Sequence, residues 1–128
     1  RFIQRHGLHK FQMNPHFPVI SLQIIRGAVA ADMDGYLEEY IDKILIHMWE
    51  EPKKMDDPEV IKAAFQESGL DADKLMNQMQ DPEVKAKLIS NTEAAAERGV
   101  FGIPTFFVED EMYFGKDNLW QVEEKLGE

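Results

Sequence analysis

The chain has 128 residues, of which 44% are hydrophobic, and it carries a formal net charge of −10 and no cysteine. This length and apolar content suit one globular domain and argue against intrinsic disorder. The lack of cysteine excludes disulfides and Cys-ligated metals within these residues. No apolar run approaches the roughly 20 residues that a membrane span needs. The acidic balance also disfavours nucleic acids and anionic membranes as partners.

The first residues resemble the end of a helix. Phe2 and Ile3 offer an apolar face, and Gly7 suits the left-handed position that follows a helix. So short a helix does not form alone in water. We therefore expect the sequence to be an N-terminally truncated part of a longer protein. Residues 10–18 follow as a linker, since they contain Asn14-Pro15 and Phe17-Pro18.

Five helical segments are predicted next. Apolar residues recur at helical spacing before and after the Asp34-Gly35 turn. Asp57-Pro58 and Asp81-Pro82 each combine an N-cap residue with proline at the first helical position. The predicted helices cover residues 19–33, 36–49, 58–69, 71–79 and 82–98. The apolar stripe of the first consists of Leu22, Ile25, Val29 and Met33, and the buried stripe of the second of Leu37, Tyr40, Ile41, Ile44, Leu45 and Met48.

Two strands and a closing helix are predicted at the C-terminus. Residues 105–108 are apolar on both faces, which is typical of a strand covered by helices on both sides. Residues 112–114 form the second strand, and Leu119, Val122 and Leu126 should lead the last helix into a core. Because an isolated two-stranded hairpin is marginal in water, we expect further strands N-terminal to this sequence.

Ile103-Pro104 lies between the predicted helix end and the first strand. Such a position suits a cis peptide bond, which would turn the backbone N–H and C=O of Ile103 outward at the start of the strand. From the residues alone, an ordinary trans proline that shapes the loop is favoured, because few X-Pro bonds are cis. The surrounding segment Gly99–Val108 resembles the cis-proline motif of thioredoxin-like proteins, and this resemblance implies the cis form.

Several motifs together resemble one known family. They are Asn14 to Pro18, Trp49, Ser90 to Glu93, Gly99 to Val108 and Phe114 to Asp117. The sequence is similar to 2-hydroxychromene-2-carboxylate isomerases and kappa-class glutathione transferases of the DsbA-like thioredoxin superfamily. The resemblance implies an α/β thioredoxin-like fold of the DsbA/kappa type with a large helical insertion, mostly α-helical here because the N-terminal strands are missing. Residues 1–18 would end a helix and link onward, 19–95 would form the insertion, and 96–128 the C-terminal half of the thioredoxin-like domain.

The resemblance also implies a glutathione site. The backbone of Ile103, before Pro104, would pair with the cysteinyl part of glutathione. Asp117 would accept from the γ-glutamyl ammonium, and Lys116 would donate from its backbone. Asn91 would face the same ligand, or else pack against the sheet. From the residues alone, Asp117 is equally suited to be the N-cap of the last helix.

Trp49 and Phe101 are the candidate residues of an aromatic substrate pocket. In the resembling isomerases, a similarly placed tryptophan lines such a pocket. Large aromatic residues near a bend more often close a core, so this alternative stays open. The four histidines lack the spacing of a zinc helix, and no metal site is predicted.

The function implied is that of a glutathione-dependent isomerase or a related kappa-like transferase in aromatic-compound catabolism, with glutathione as cofactor and a small aromatic substrate. The serine or cysteine expected to act on sulfur would lie in the missing N-terminal segment, so no catalytic residue is assigned here. A DsbA-family dithiol-disulfide oxidoreductase is the first alternative. An inactive fragment or a helical interaction module is the second. A cytoplasmic location is expected, and a homodimer is compatible with the family.

Overall fold

Seven α-helices and one β-hairpin make up the computed structural model, which describes all 128 residues. The chain divides into two units, residues 1–88 and 89–128. None of the helices is both long and apolar enough to cross a membrane. The helices are α1 Phe2–Arg5, α2 Leu22–Met33, α3 Leu37–Trp49, α4 Pro58–Glu67, α5 Ala72–Gln78, α6 Pro82–Glu97 and α7 Leu119–Leu126, and the strands are β1 Thr105–Val108 and β2 Glu111–Phe114.

The sequence signals for helix starts are confirmed. The Asp57 carboxylate accepts a hydrogen bond from the Glu59 N–H at 3.0 Å, and Pro58 opens α4. The Asp81 carboxylate likewise accepts from the Glu83 N–H at 2.8 Å, and Pro82 opens α6. These carboxylates satisfy N–H groups that have no partner within the first turn of a helix.

The core of the first unit lies between α2, α3, α4 and α5. Tyr40 and Phe65 are fully buried at its centre, with their ring centroids 5.9 Å apart. Small residues on α2 allow close approach of the neighbouring helices: Gly27, Ala30 and Ala31 are all buried. Further buried side chains of the core are Ile24, Val29, Ile44, Met48, Met55, Ile61, Ala64, Leu75, Met79 and Val84.

Two parts of the predicted apolar stripes are wrong. On α3, Ile41 and Leu45 are exposed, whereas Tyr40, Ile44 and Met48 are buried. A helix buries only the side that faces its neighbours, and the buried side of α3 is the row of residues three and four apart that begins at Tyr40. On α2, the side with small residues is buried instead, so Leu22, Ile25 and Met33 stay exposed.

The second unit contains the end of α6, the hairpin and α7. The strands pair antiparallel, with Thr105 opposite Phe114 and Val108 opposite Glu111. β1 is half-buried at all four positions, so within this chain it is not the doubly covered strand that its composition predicts. The expectation that Leu119 and Leu126 enter a core is also wrong, since both are exposed. A sheet of only two strands offers too little apolar surface to bury one whole side of α7.

Candidate functional site

The open end of the hairpin brings together four of the predicted site residues. Because β1 and β2 are antiparallel, the residues just before β1 lie beside those just after β2. The Gly115 N–H donates to the Pro104 carbonyl at 2.9 Å and extends the ladder by one bond. Ile103-Pro104 and Lys116-Asp117 therefore sit at the same end of the sheet.

Ile103 presents an unpaired peptide backbone at this end. The Ile103-Pro104 bond is cis, as the sequence predicts. Neither the N–H nor the C=O of Ile103 forms a hydrogen bond within the chain, and the residue is 89% exposed. Nearby, the Thr105 hydroxyl donates to the Gly102 carbonyl at 2.6 Å and fixes the turn that precedes the strand. One donor and one acceptor are thus available side by side for an extended ligand.

Lys116 and Asp117 lie in a 3₁₀ turn, Lys116–Asn118, between β2 and α7. Asn118, not Asp117, occupies the N-cap position of α7, so the N-cap interpretation of Asp117 is wrong. This 3₁₀ turn comes before α7 begins at Leu119, so Asp117 does not belong to the first turn of α7. The Asp117 carboxylate is 90% exposed and lies 3.2 Å from the Lys116 ammonium. It can therefore accept from a ligand cation at this edge.

Gly115 makes this turn possible. Its φ of +87° with ψ of 148° belongs to a backbone region that is essentially restricted to glycine. The Asn118 side-chain amide donates to the Phe114 carbonyl at 2.5 Å and holds the end of β2 against the turn. A side chain at position 115 would strain the segment that carries Lys116 and Asp117.

Phe101 lies beside this end of the hairpin. Its ring centroid is 4.7 Å from that of Phe114, and the residue is 73% exposed. An added methyl group at Gly102 would overlap the Phe114 ring, so glycine is needed for this close approach. Phe101 does not close a core, and its ring is available as an apolar surface.

Asn91 is exposed on α6, and its side chain forms no hydrogen bond within the chain. No recorded contact joins it to Ile103 or Asp117. Its role in binding glutathione stays a prediction.

Trp49 belongs to the first unit, where it forms one wall of an apolar groove of about 570 Å³. The Phe11 ring stacks near it, with centroids 5.8 Å apart and planes inclined by 20°. The groove is lined by Gly7, Leu8, His9, Lys10, Phe11, Asp42, Leu45, Ile46, Trp49 and Glu50. We call this surface the Trp49 groove. Leu45 lines the groove and therefore does not lie in the core.

Phe11 was not predicted from the sequence as a partner of Trp49. It lies in an irregular segment, where no hydrophobic periodicity exists to reveal which ring it meets. The contact between the Phe11 and Trp49 rings depends on hydrogen bonds from Gln12 to the carbonyls of Trp49 and Glu50, which are far from it in sequence. Of these, the Gln12 N–H donates to the Trp49 carbonyl at 2.5 Å.

Residues 4–127 match the sequence model of the family described as "DSBA-like thioredoxin domain". The chain belongs to this family. Its DSBA-like domain is 27% identical to human glutathione S-transferase kappa 1 in a match that covers 94% of this chain and 61% of that protein. It is 53% identical to the 2-hydroxychromene-2-carboxylate isomerase of Pseudomonas putida over 36 residues, which are 28% of this chain and 18% of that protein.

A solved structure of a 2-hydroxychromene-2-carboxylate isomerase superposes on the DSBA-like domain with a TM-score of 0.80 at 25% identity. The match covers 99% of this chain and 61% of that structure. The chain thus spans about three fifths of the relatives that it matches. The family resemblance and the DsbA-like thioredoxin fold class are confirmed. The division at residues 18 and 95 stays a prediction.

Proposed function

We propose that the protein is a glutathione-dependent isomerase or transferase that acts on a small aromatic compound. Relatives named as an isomerase and as a glutathione transferase support an enzyme of this kind. The single observation that carries the proposal is the hairpin end, where the unpaired Ile103 backbone lies beside Lys116 and Asp117.

Glutathione suits this end because it is a short extended peptide with charged ends. Its cysteinyl N–H and C=O would pair with the C=O and N–H of Ile103, as a peptide adds to the edge of a sheet. The Asp117 carboxylate would accept from the γ-glutamyl ammonium, a charge-assisted bond. The Lys116 backbone N–H would donate to the γ-glutamyl carboxylate. These contacts fix the position and direction of the ligand.

Bound glutathione supplies a thiolate, which can add reversibly to an electron-poor double bond and leave again. We assign no catalytic residue within these 128 residues. The role of the hairpin end is to bind and orient. We expect this polypeptide alone to show no glutathione-dependent turnover.

Phe101 and the Trp49 groove are the surfaces that we propose for the aromatic substrate. Both are apolar and exposed, and aromatic rings prefer offset or tilted contact with other rings. Each is proposed separately, on its own unit of the chain.

The test is glutathione binding by isothermal titration calorimetry, with Asp117→Asn compared with Asp110→Asn. Both positions are exposed acids, but Asp110 lies in the turn at the opposite end of the hairpin. Loss of a charge-assisted hydrogen bond of about 1.5–3 kcal/mol predicts affinity weakened about tenfold or more in Asp117→Asn. Asp110→Asn should bind like the unsubstituted chain. Equal affinity in all three proteins would contradict the proposed site.

The family description also favours a second candidate, a dithiol-disulfide oxidoreductase. The 128 residues contain no cysteine, so a dithiol would have to come from outside them. An oxidoreductase should catalyse the reduction of a protein disulfide by dithiothreitol without glutathione, whereas the proposed enzyme should require glutathione for turnover. Assay of the full-length protein with and without glutathione separates the two candidates.

A further inference from the structure

The segment before α2 caps the C-terminal end of α3. The last carbonyls of a helix have no partner within the helix. Here the Gln12 side-chain amide donates to the Glu50 carbonyl at 3.0 Å, and the Gln12 N–H donates to the Trp49 carbonyl. Phe11 directly precedes Gln12 in the chain. The two Gln12 hydrogen bonds therefore fix the place of the Phe11 ring against Trp49.

Asn14 connects this cap to the segment that follows α3. It is 2% exposed, and its side-chain amide donates to the Met48 carbonyl at 3.2 Å and to the Lys53 carbonyl at 2.9 Å. Its side-chain oxygen accepts from the His16 N–H at 2.9 Å. The position of Lys53 is therefore coupled through one buried side chain to the segment that carries Phe11.

His47 holds Lys53 from the other side. The His47 residue is 3% exposed, and its Nδ1 lies 2.8 Å from the Lys53 Nζ. The Lys53 N–H also donates to the His47 carbonyl at 2.9 Å. An ammonium group can only donate, so Nδ1 must be the acceptor and the ring must be neutral. The proton then resides on Nε2, which donates to the Ser68 hydroxyl at 2.6 Å.

We propose that His47 is a positioning residue for the Trp49 groove: its neutral ring holds Lys53, which through Asn14 keeps Phe11 against Trp49, and its protonation releases this contact. The inference rests on the first unit alone and does not depend on glutathione binding. It adds an acid-sensitive control of an aromatic surface to the proposed function.

The charged groups around His47 explain the direction of the effect. A proton on Nδ1 would face the Lys53 ammonium, donor against donor and like charge against like charge. Glu51 and Glu67 lie 3.7 and 3.6 Å from the Lys53 Nζ and oppose this repulsion. Burial is the main cause that lowers the pKa of His47, and the Lys53 charge is the second. The carboxylates of Glu67 and Glu51 raise this pKa by less. The contact should therefore persist to a pH below the usual histidine pKa.

The test uses Trp49 as the only tryptophan, in a Trp120→Phe background. Acrylamide quenching of Trp49 is followed from about pH 8 to about pH 4.5, since histidine titrates within this range. We expect Trp49 to become more accessible in one transition with a midpoint below about 6.5, the ordinary histidine pKa. Far-UV circular dichroism over the same range must stay constant, so that the change is not global unfolding.

Three variants identify the titrating group. His47→Gln should abolish the transition, whereas His9→Gln, which alters a histidine of the groove itself, should retain it. Lys53→Met removes the group that His47 holds, so Trp49 should be accessible over the whole pH range, without a transition. The midpoint of the His47 ring itself, followed by NMR, should rise in this variant because the facing positive charge is gone. A quenching transition that persists in His47→Gln or in Lys53→Met, or a His47 ring midpoint that Lys53→Met leaves unchanged, would overturn the proposal.

A direct measurement covers the case in which His47→Gln does not fold. The His47 ring proton is followed by NMR in the Trp120→Phe protein over the same pH range. The midpoint of His47 and the midpoint of Trp49 quenching should coincide. Two separate midpoints would show that the groove responds to another group.

Discussion

The phenolic hydroxyl of Tyr40 donates a hydrogen bond to the Ile24 carbonyl at 2.7 Å and thereby joins α3 to α2. The same ring lies against Gly27, where an added methyl group would overlap it. Burial raises the pKa of Tyr40 far above its usual value, so the hydroxyl keeps its proton. The crossing of these two helices thus depends on one donor and on one missing side chain.

Tyr40→Phe should lower the free energy of unfolding by about 1 kcal/mol, since one buried hydrogen bond is lost and the ring is kept. Urea unfolding followed by circular dichroism measures the change. Tyr113→Phe is the matched control, because the Tyr113 hydroxyl bonds the exposed Glu111 carboxylate at 2.6 Å. A loss in the control as large as in Tyr40→Phe would contradict the importance of the buried bond.

Gly27→Ala should be destabilising by about 1–3 kcal/mol, although alanine is the better helix former, because the new methyl group has no space. The overlap is closest at the Tyr40 hydroxyl, so Tyr40→Phe should relieve part of it. The double variant should therefore lose less stability than the sum of the two single losses. Additive losses, or a stabilised Gly27→Ala protein, would show that the helices can move apart freely.

Asn14→Ala should cost about 1–3 kcal/mol, because it leaves the Met48 and Lys53 carbonyls without their side-chain donor in a buried place. Gln12→Ala removes an exposed bond to the Glu50 carbonyl and should cost less. Both are measured by urea unfolding at neutral pH. Equal costs at the two positions would mean that burial of Asn14 adds nothing to the cap.

The free energy of unfolding should fall as pH drops below about 6.5, the pKa of histidine in the unfolded chain. The pKa of His47 is lowered in the folded protein by burial and by Lys53, so the unfolded chain binds more protons between the two pKa values. This contribution is fully present above the unfolded pKa and is lost as pH falls through the folded one. The slope of the free energy of unfolding against pH should be smaller in His47→Gln than in His16→Gln, which changes an exposed histidine. Identical slopes in the two variants would contradict a lowered pKa at His47.

The sequence predicts the helices of this protein well because their signals are local. Asp57 and Asp81 cap the helices that follow them, and the turn between α2 and α3 is marked by Gly35, which adopts a positive φ. The hairpin was also predicted, from the apolar residues of its strands, and the cis bond before Pro104 from the family motif around it. At the hairpin end, the 3₁₀ turn that displaces Asp117 from the N-cap was missed, since the sequence contains no sign that three residues precede α7.

Long-range polar contacts were beyond sequence reasoning. Asn14 resembles a turn residue before proline, and nothing near it in sequence reveals that it bonds carbonyls 34 and 39 positions away. His47 likewise lies on an apolar helix face, and its partners Lys53 and Ser68 come from segments whose positions depend on the packing of α4. The exposed sides of α2 and α3 were assigned wrongly because periodicity gives a stripe but not the neighbour that covers it.

The most direct test of the central claim is an NMR titration of the ¹⁵N-labelled chain with reduced glutathione. If the hairpin end binds glutathione, the backbone amide signals of Ile103, Lys116 and Asp117 should shift together and saturate along one binding curve. The amides of Glu109 and Asp110, at the opposite end of the hairpin, should stay in place. No shift at Ile103 and Asp117, or shifts confined to Glu109 and Asp110, would contradict the account.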